Sequence, residues 1–105
     1  MDLLHSCSLV NYFGKVVRVD QIVNHPILMR KGDSKLALYG MGNVRDERLH
    51  RTFEMDGVKW EKPQSDPESW FNLAVVHQNR TRHTVTQRDY LPEKFLPPWL
   101  DMVIW

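Results

Sequence analysis

The most informative segment of the sequence is residues 70–80, which read Trp-Phe-Asn-Leu-Ala-Val-Val-His-Gln-Asn-Arg. Residues 71–76 are apolar at every position except Asn72. An apolar run of this length without alternation is typical of a strand that is buried on both faces, as at the centre of a helix-flanked sheet. The sequence therefore predicts a central strand over 71–76 whose carboxyl end leads directly into a polar loop.

The polar residues that follow this strand form a candidate site. In open α/β sheets, ligands bind just beyond the carboxyl ends of the strands. His77 could offer a neutral imidazole nitrogen to a metal there, while Gln78 or Asn79 fixes its second nitrogen or binds a substrate oxygen. Arg80 could present its planar fork of donors to a phosphate. A lone histidine after a strand is more often structural, so the spacing alone leaves both interpretations of His77 open.

Helix and strand signals alternate on both sides of this segment, and this alternation predicts an α/β layered architecture. Glycines at 40 and 42 permit a sharp bend or a close approach of two backbones. Apolar and β-branched residues predict further strands at 16–19, 22–29, 36–39, 58–60 and 102–105, with a hairpin turn at 31–34. Helices are predicted near 3–10, over 47–53 behind an Asp46 cap, and from Pro92 to Leu96.

Length and composition limit the function classes. The 105 residues allow at most one domain. The formal net charge of +1 excludes a broad basic surface for nucleic acid, so any such contact must be local. The single cysteine, Cys7, excludes an internal disulfide and a multi-cysteine zinc site. The apolar runs are too short to span a membrane, and a reducing intracellular compartment is expected.

Other polar residues have simpler interpretations. Asp46 and Glu47 are adjacent on a predicted helix and point in different directions, so capping is favoured over a paired-carboxylate site. A solvated face is favoured over a phosphate-binding stripe for the arginines at 45, 48 and 51. Core packing is favoured over base stacking for Trp70 and Trp105. The remaining histidines share no metal-ligand spacing and are interpreted as surface or hydrogen-bonded residues: His5, His25, His50 and His83.

Taken together, the motifs resemble the meiotic-recombination-eleven family, the nuclease subunits of the DNA double-strand-break repair complex, and the eukaryotic branch fits best. The most specific match is Trp70-Phe71-Asn72-Leu73 leading to His77-Gln78-Asn79-Arg80. The other matching stretches, in chain order, are Asp2-Leu3-Leu4-His5-Ser6-Cys7, Leu9-Val10-Asn11-Tyr12-Phe13-Gly14, Pro26-Ile27-Leu28 before Lys31-Gly32, Ala37-Leu38-Tyr39-Gly40-Met41-Gly42-Asn43, Asp46-Glu47-Arg48-Leu49, Leu91-Pro92-Glu93, Phe95-Leu96 and Asp101-Met102-Val103-Ile104-Trp105.

The resemblance implies a calcineurin-like metallophosphoesterase fold, a two-layer β-sandwich flanked by helices, with residues 1–105 as one partial domain. It implies two manganese ions that hydrolyse DNA phosphodiesters by exonuclease and endonuclease cleavage, and a nuclear location. The implied partners are DNA, a second copy of the nuclease, an SMC-like coiled-coil ATPase and a third signalling subunit. Of the family's metal ligands only His77 maps onto this sequence, and Asn79 and Arg80 are the implied DNA contacts.

The family's other ligand motifs lead to an expectation about the parent protein. The Asp-x-His, Gly-Asp and Gly-Asn-His-Asp motifs would precede residue 1, and Gly-His-x-His would follow Trp105. An uncapped helix at the start and a bare apolar strand at the end give the same expectation, a domain truncated on both sides. Two alternatives stay open: a non-catalytic truncated product that acts as a binding or assembly module, and a different metallophosphoesterase that acts on small phosphodiesters.

Overall fold

The computed structural model describes residues 13–14, 21–42, 44–80 and 90–105. This part of the chain contains one α-helix, α1, at Asp46–Glu54, and single 3₁₀ turns at Pro67–Ser69 and Glu93–Phe95. Its strands are β1 (Ile22–Asn24), β2 (Ile27–Lys31), β3 (Ser34–Met41), β4 (Val58–Trp60), β5 (Phe71–Val76) and β6 (Met102–Ile104). The prediction of an α/β architecture is confirmed, as are the strands at 71–76 and 58–60. None of the described helices is long and apolar enough to cross a membrane.

The larger sheet has the strand order β2-β3-β5-β6. β2 and β3 form the predicted antiparallel hairpin, and Gly32 in its turn adopts the positive φ of 59° that glycine tolerates. β3, β5 and β6 are parallel, so their carboxyl ends lie at one edge of the sheet. β1 and β4 form a separate parallel pair.

Two apolar clusters hold these elements together. The first lies between α1 and the sheet and contains Leu49, which is fully buried, with Met41 and Val76. The second surrounds Tyr39, whose ring packs at 5.5 Å from the rings of both Trp60 and Trp99. The Tyr39 hydroxyl donates to the backbone carbonyl of Glu61 at 2.8 Å, and burial raises the pKa of Tyr39 above its ordinary value. Both clusters pack on the same face of the sheet.

A close crossing of two backbones confirms the interpretation of the glycines near residue 40. The Gly42 amide donates to the Gly14 carbonyl. A side chain at Gly40 would overlap the ring of Phe13, and one at Gly14 would lie 2.7 Å from the Gly40 carbonyl carbon. Only glycine fits at this crossing because any Cβ would force the two segments apart.

The prediction that β5 is buried on both faces is wrong for one of them. Asn72, Ala74 and Val76 are buried, whereas Phe71 on the opposite face is exposed. An apolar run shows that both faces of a strand can be buried. Each face is buried only where another element packs against it. In this structure the opposite face of β5 is exposed at Phe71 and only partly covered at Leu73 and Val75.

Other predicted elements differ from the structure or lie outside the described residues. The strand predicted over 22–29 is two strands in different sheets, because Pro26 lacks the N–H that would continue a ladder. The helix predicted from Pro92 to Leu96 is one 3₁₀ turn, since the residue before Pro97 is disfavoured in the helical region. The predicted helix at 3–10 and strand at 16–19 lie outside the described residues.

Candidate functional site

The candidate site lies at the edge where the three parallel strands end. Residues 77–80 follow β5 there, and Trp105 follows β6. α1 begins five residues after β3. Its first residue, Asp46, is hydrogen-bonded to Asn79, so the first turn of α1 lies beside the loop that follows β5. The loop 77–80 therefore contacts α1, the 90–95 segment and Trp105 after β6.

His77 occupies the position predicted for it. It is the first residue after β5 and is exposed, while Val76 before it is buried in the core. The described residues offer its imidazole no hydrogen-bond partner. The expectation that Asn79 fixes the second imidazole nitrogen is not met within this part of the chain. Both ring nitrogens are therefore available to an external ligand.

Asn79 is held by a carboxylate from α1. Its side-chain Nδ2 donates to Asp46 Oδ2 at 2.6 Å, and its backbone N–H donates to Asp46 Oδ1 at 3.2 Å. The Asn79 carbonyl accepts the N–H of Leu91 at 2.7 Å. Asn79 thus joins the loop to α1 on one side and to the 90–95 segment on the other.

The interpretation of Asp46 as a helix cap is wrong. The N-cap residue of α1 is Arg45, which makes no side-chain capping hydrogen bond, and Asp46 lies in the first turn. The helix dipole favours a carboxylate in the first turn of a helix. Because the Asp46 carboxylate makes no capping hydrogen bond within α1, its oxygens accept hydrogen bonds from Asn79 in the neighbouring loop.

Arg80 is oriented by two neighbours. Its Nε and Nη2 both donate to Glu93 Oε1 at 2.6 Å, and its guanidinium carbon lies 5.9 Å from the centre of the Trp105 ring. These contacts use one side of the guanidinium group and leave Nη1 and the second Nη2 hydrogen unengaged by either residue. Trp105 is half-buried against the core, in agreement with its predicted packing role.

Gln78 is an unusual feature of this loop. Its side-chain Nε2 and Oε1 are both shielded from solvent, and the described residues give neither atom a hydrogen-bond partner. A buried amide without partners is costly, by about 1–3 kcal/mol for each group. The Gln78 side chain can therefore still donate a hydrogen bond through Nε2 and accept one through Oε1.

The described residues supply only part of a metal site. They contain no group of three or more histidine, cysteine, aspartate or glutamate side chains that could hold a metal ion. The exposed imidazole of His77 fits one ligand position, and the remaining ligands would have to come from outside this part of the chain.

Two other histidines have the roles predicted for them. His25 Nδ1 lies 2.6 Å from Glu61 Oε2 on the surface. The buried His50 has Nδ1 at 3.1 Å from the Tyr90 carbonyl and Nε2 at 3.4 Å from Glu54. His5 and His83 lie outside the described residues.

The arginine stripe of α1 agrees with a solvated face. Its members at 45, 48 and 51 are exposed, and Arg51 pairs with Glu47 at 2.9 Å. Sequence reasoning missed two acidic residues of the site, Asp46 as a loop contact and Glu93 as the Arg80 partner. No local pattern points to either, because their partners lie 33 and 13 residues away.

Comparison with known proteins finds similar repair proteins in several organisms. No family model matches the chain. The chain is 50% identical over all its 105 residues to the double-strand break repair protein mus-23 of Neurospora crassa. It is 45% identical over 105 residues to MRE11 of Homo sapiens, and 46% identical over 114 aligned residues to MRE11 of Arabidopsis thaliana.

These matches cover the whole chain but only 14 to 16% of the relatives. The chain therefore spans about one seventh of the length of the curated proteins that it matches. Similarity at this level extends across fungi, animals and plants and includes the strand and loop that carry His77. Over its whole length the chain is similar to one segment of the MRE11 double-strand break repair proteins.

Proposed function

We propose that this chain is part of the metallophosphoesterase domain of a nuclease that processes DNA ends in double-strand-break repair. The observation that carries the proposal is the exposed imidazole of His77, presented by a core strand at the edge where parallel strands end, three residues before Arg80. The relatives are named as double-strand break repair proteins, which supports a role in the repair of broken DNA.

In this proposal the residues of the loop have different roles. His77 would hold one of two manganese ions through an imidazole nitrogen. Bound divalent ions polarise a phosphodiester and lower the pKa of a bound water. Arg80 would bind a DNA phosphate with the unengaged side of its guanidinium group. The DNA contact of Asn79 stays a prediction, and it would use the second hydrogen of Nδ2, since the first is donated to Asp46.

The wider proposal follows from the resemblance. It includes exonuclease and single-strand endonuclease cleavage, a sandwich-type phosphoesterase fold, a nuclear location and a homodimer bound to an SMC-like ATPase and a signalling subunit. A second candidate is a non-catalytic binding or assembly module. The small number of metal-ligating side chains among the described residues favours it for the chain taken alone.

The test of the proposal is His77→Ala in the complete protein. We expect this variant to lose manganese-dependent cleavage of labelled single-stranded and duplex DNA while it still assembles with its partners. His25→Ala is the matched control, since His25 pairs with Glu61 on the surface and is expected to be dispensable. Full cleavage by the His77→Ala protein would contradict the proposal.

The isolated chain provides the second arm of this test. A single imidazole does not hold manganese against water, because such sites need several oxygen and nitrogen ligands. Calorimetric titration should therefore detect no saturable manganese site, and incubation with DNA should give no metal-dependent products. Turnover by the isolated chain that disappears in its own His77→Ala variant would mean that the chain itself completes the site.

A further inference from the structure

We propose that Asp46 is a positioning residue for the loop 77–80 and, through Asn79, for the imidazole of His77. This inference rests on the proposed function, because it assigns Asp46 a role in the geometry of the metal ligand. Asp46 itself touches neither metal nor DNA in this proposal. It acts only through the hydrogen bonds that it accepts from Asn79.

The contact is well suited to fixing a loop. One carboxylate accepts from both the backbone and the side chain of the same residue, which restrains the position and the rotation of Asn79. Hydrogen bonds to an ionised acceptor are roughly twice as strong as those between neutral groups. Asp46 is partly shielded from solvent, while both hydrogen bonds lie at the exposed surface, so their effect is to restrain the geometry of the loop.

The helix that carries Asp46 is packed against the core. α1 is anchored in the core by Leu49, which is fully buried three residues further on. His77 therefore has a fixed point on each side. Val76 before it is buried in β5, and Asn79 after it is bound to α1, so only His77 and Gln78 lie between the two fixed residues.

The helix itself does not explain the choice of an acid at this position. Asp46 makes no capping hydrogen bond within α1, while its neighbour Glu47 makes an ordinary surface pair with Arg51. The described contacts of the Asp46 carboxylate are both with the loop that carries the candidate metal ligand. Residues that orient a metal ligand from outside the coordination shell typically change metal affinity or activity by about 10–100-fold when they are removed.

The test compares Asp46→Ala, Asp46→Asn and Glu47→Ala in the complete protein. We expect Asp46→Ala to weaken manganese binding, measured by titration calorimetry, by about tenfold or more. Asp46→Asn should retain most of the affinity, because the Asn79 amide can rotate by half a turn and present its oxygen to the new amide donor. Glu47→Ala should bind manganese like the parent protein.

A second readout needs no metal. In the metal-free protein, Asp46→Ala should accelerate hydrogen exchange of the Asn79 backbone amide, and Glu47→Ala should not. Unchanged exchange and unchanged manganese affinity in Asp46→Ala would overturn the proposal. A fall in melting temperature with unchanged manganese affinity would also overturn it, since it would assign Asp46 a role in stability alone.

The two proposals fail in different ways. If His77→Ala binds manganese and cuts DNA like the parent protein, the proposed function is wrong, whatever Asp46 does. If His77→Ala is inactive but Asp46→Ala keeps its manganese affinity, the proposed function stands and the positioning role of Asp46 is wrong. Loss of affinity in both variants, with recovery in Asp46→Asn, supports both proposals.

Discussion

At the level of a single residue, Arg80 illustrates how an ion pair can prepare a side chain for a ligand. Glu93 binds the Nε and Nη2 side of its guanidinium group, and the Trp105 ring lies beside its face. The side chain remains more than half exposed, so the pair with Glu93 contributes little to stability. Its main effect is to hold the free side of the guanidinium group in one direction.

This arrangement predicts a specific effect on DNA binding. Arg80→Ala in the complete protein should weaken binding to DNA of every sequence and reduce the slope of log affinity against log salt by about one. Fluorescence anisotropy with labelled DNA between roughly 50 and 200 mM salt measures both quantities. Arg48→Ala is the control, because Arg48 lies on the solvated face of α1. An equal change of slope in both variants would contradict a special role for Arg80.

At the level of secondary-structure elements, the crossing of Gly14 and Gly40 determines how closely β3 can approach residues 13–14. We expect Gly40→Ala to lower the free energy of unfolding by about 1–3 kcal/mol or more, because the added methyl group overlaps the Phe13 ring. Gly32→Ala is the matched control. Its methyl group meets no atom within 4 Å, so only the positive φ opposes it, at about 1 kcal/mol.

Urea denaturation of the complete protein compares the two glycine variants. A loss of stability that is equal for Gly40→Ala and Gly32→Ala, or larger for Gly32→Ala, would contradict the close crossing. Denaturation followed by a signal from the Trp60 and Trp99 cluster would report on the sheet to which Gly40 belongs.

The elements also show what a sequence can reveal about this fold. The limits of β5 and the hairpin at Gly32 follow from the apolar run and the turn residues, which are local properties. The placement of His77 in a loop after β5 follows in the same way. The open face of β5 and the contact of Asp46 with Asn79 do not, because they depend on segments that meet only after folding. The proposed DNA and metal roles of the loop rest mainly on family resemblance, because spacing alone leaves both interpretations of His77 open.

At the level of the whole molecule, the partly open face of the sheet presents an apolar surface formed by described residues of neighbouring strands. Strand register aligns Met29 with Leu36 and Phe71 on this face, and Leu73 with Met102. Phe71 is 47% exposed and Met102 is 52% exposed. Apolar side chains that form a continuous surface across neighbouring strands favour association with another surface.

We therefore expect the isolated chain to be poorly soluble or to self-associate. Phe71→Lys should shift its sedimentation profile towards monomer, because a charge in the middle of the apolar surface must be desolvated on contact. Met55→Lys is the control, since Met55 is 71% exposed and follows α1 rather than lying on the sheet. A monomeric profile with a sharp, cooperative melt for the unaltered chain would contradict this prediction.

The parallel course of β3 and β5 has a practical consequence for handling the protein. β3 spans the eight residues Ser34–Met41, from the turn at Gly32 and Asp33 to the edge that carries His77. At roughly 3.3 Å per residue, the turn and the candidate site are about 26 Å apart, at opposite ends of the sheet. Gly32 and Asp33 are both exposed. An affinity peptide attached at this turn would tether the protein to a surface by the end of the sheet opposite the His77 edge.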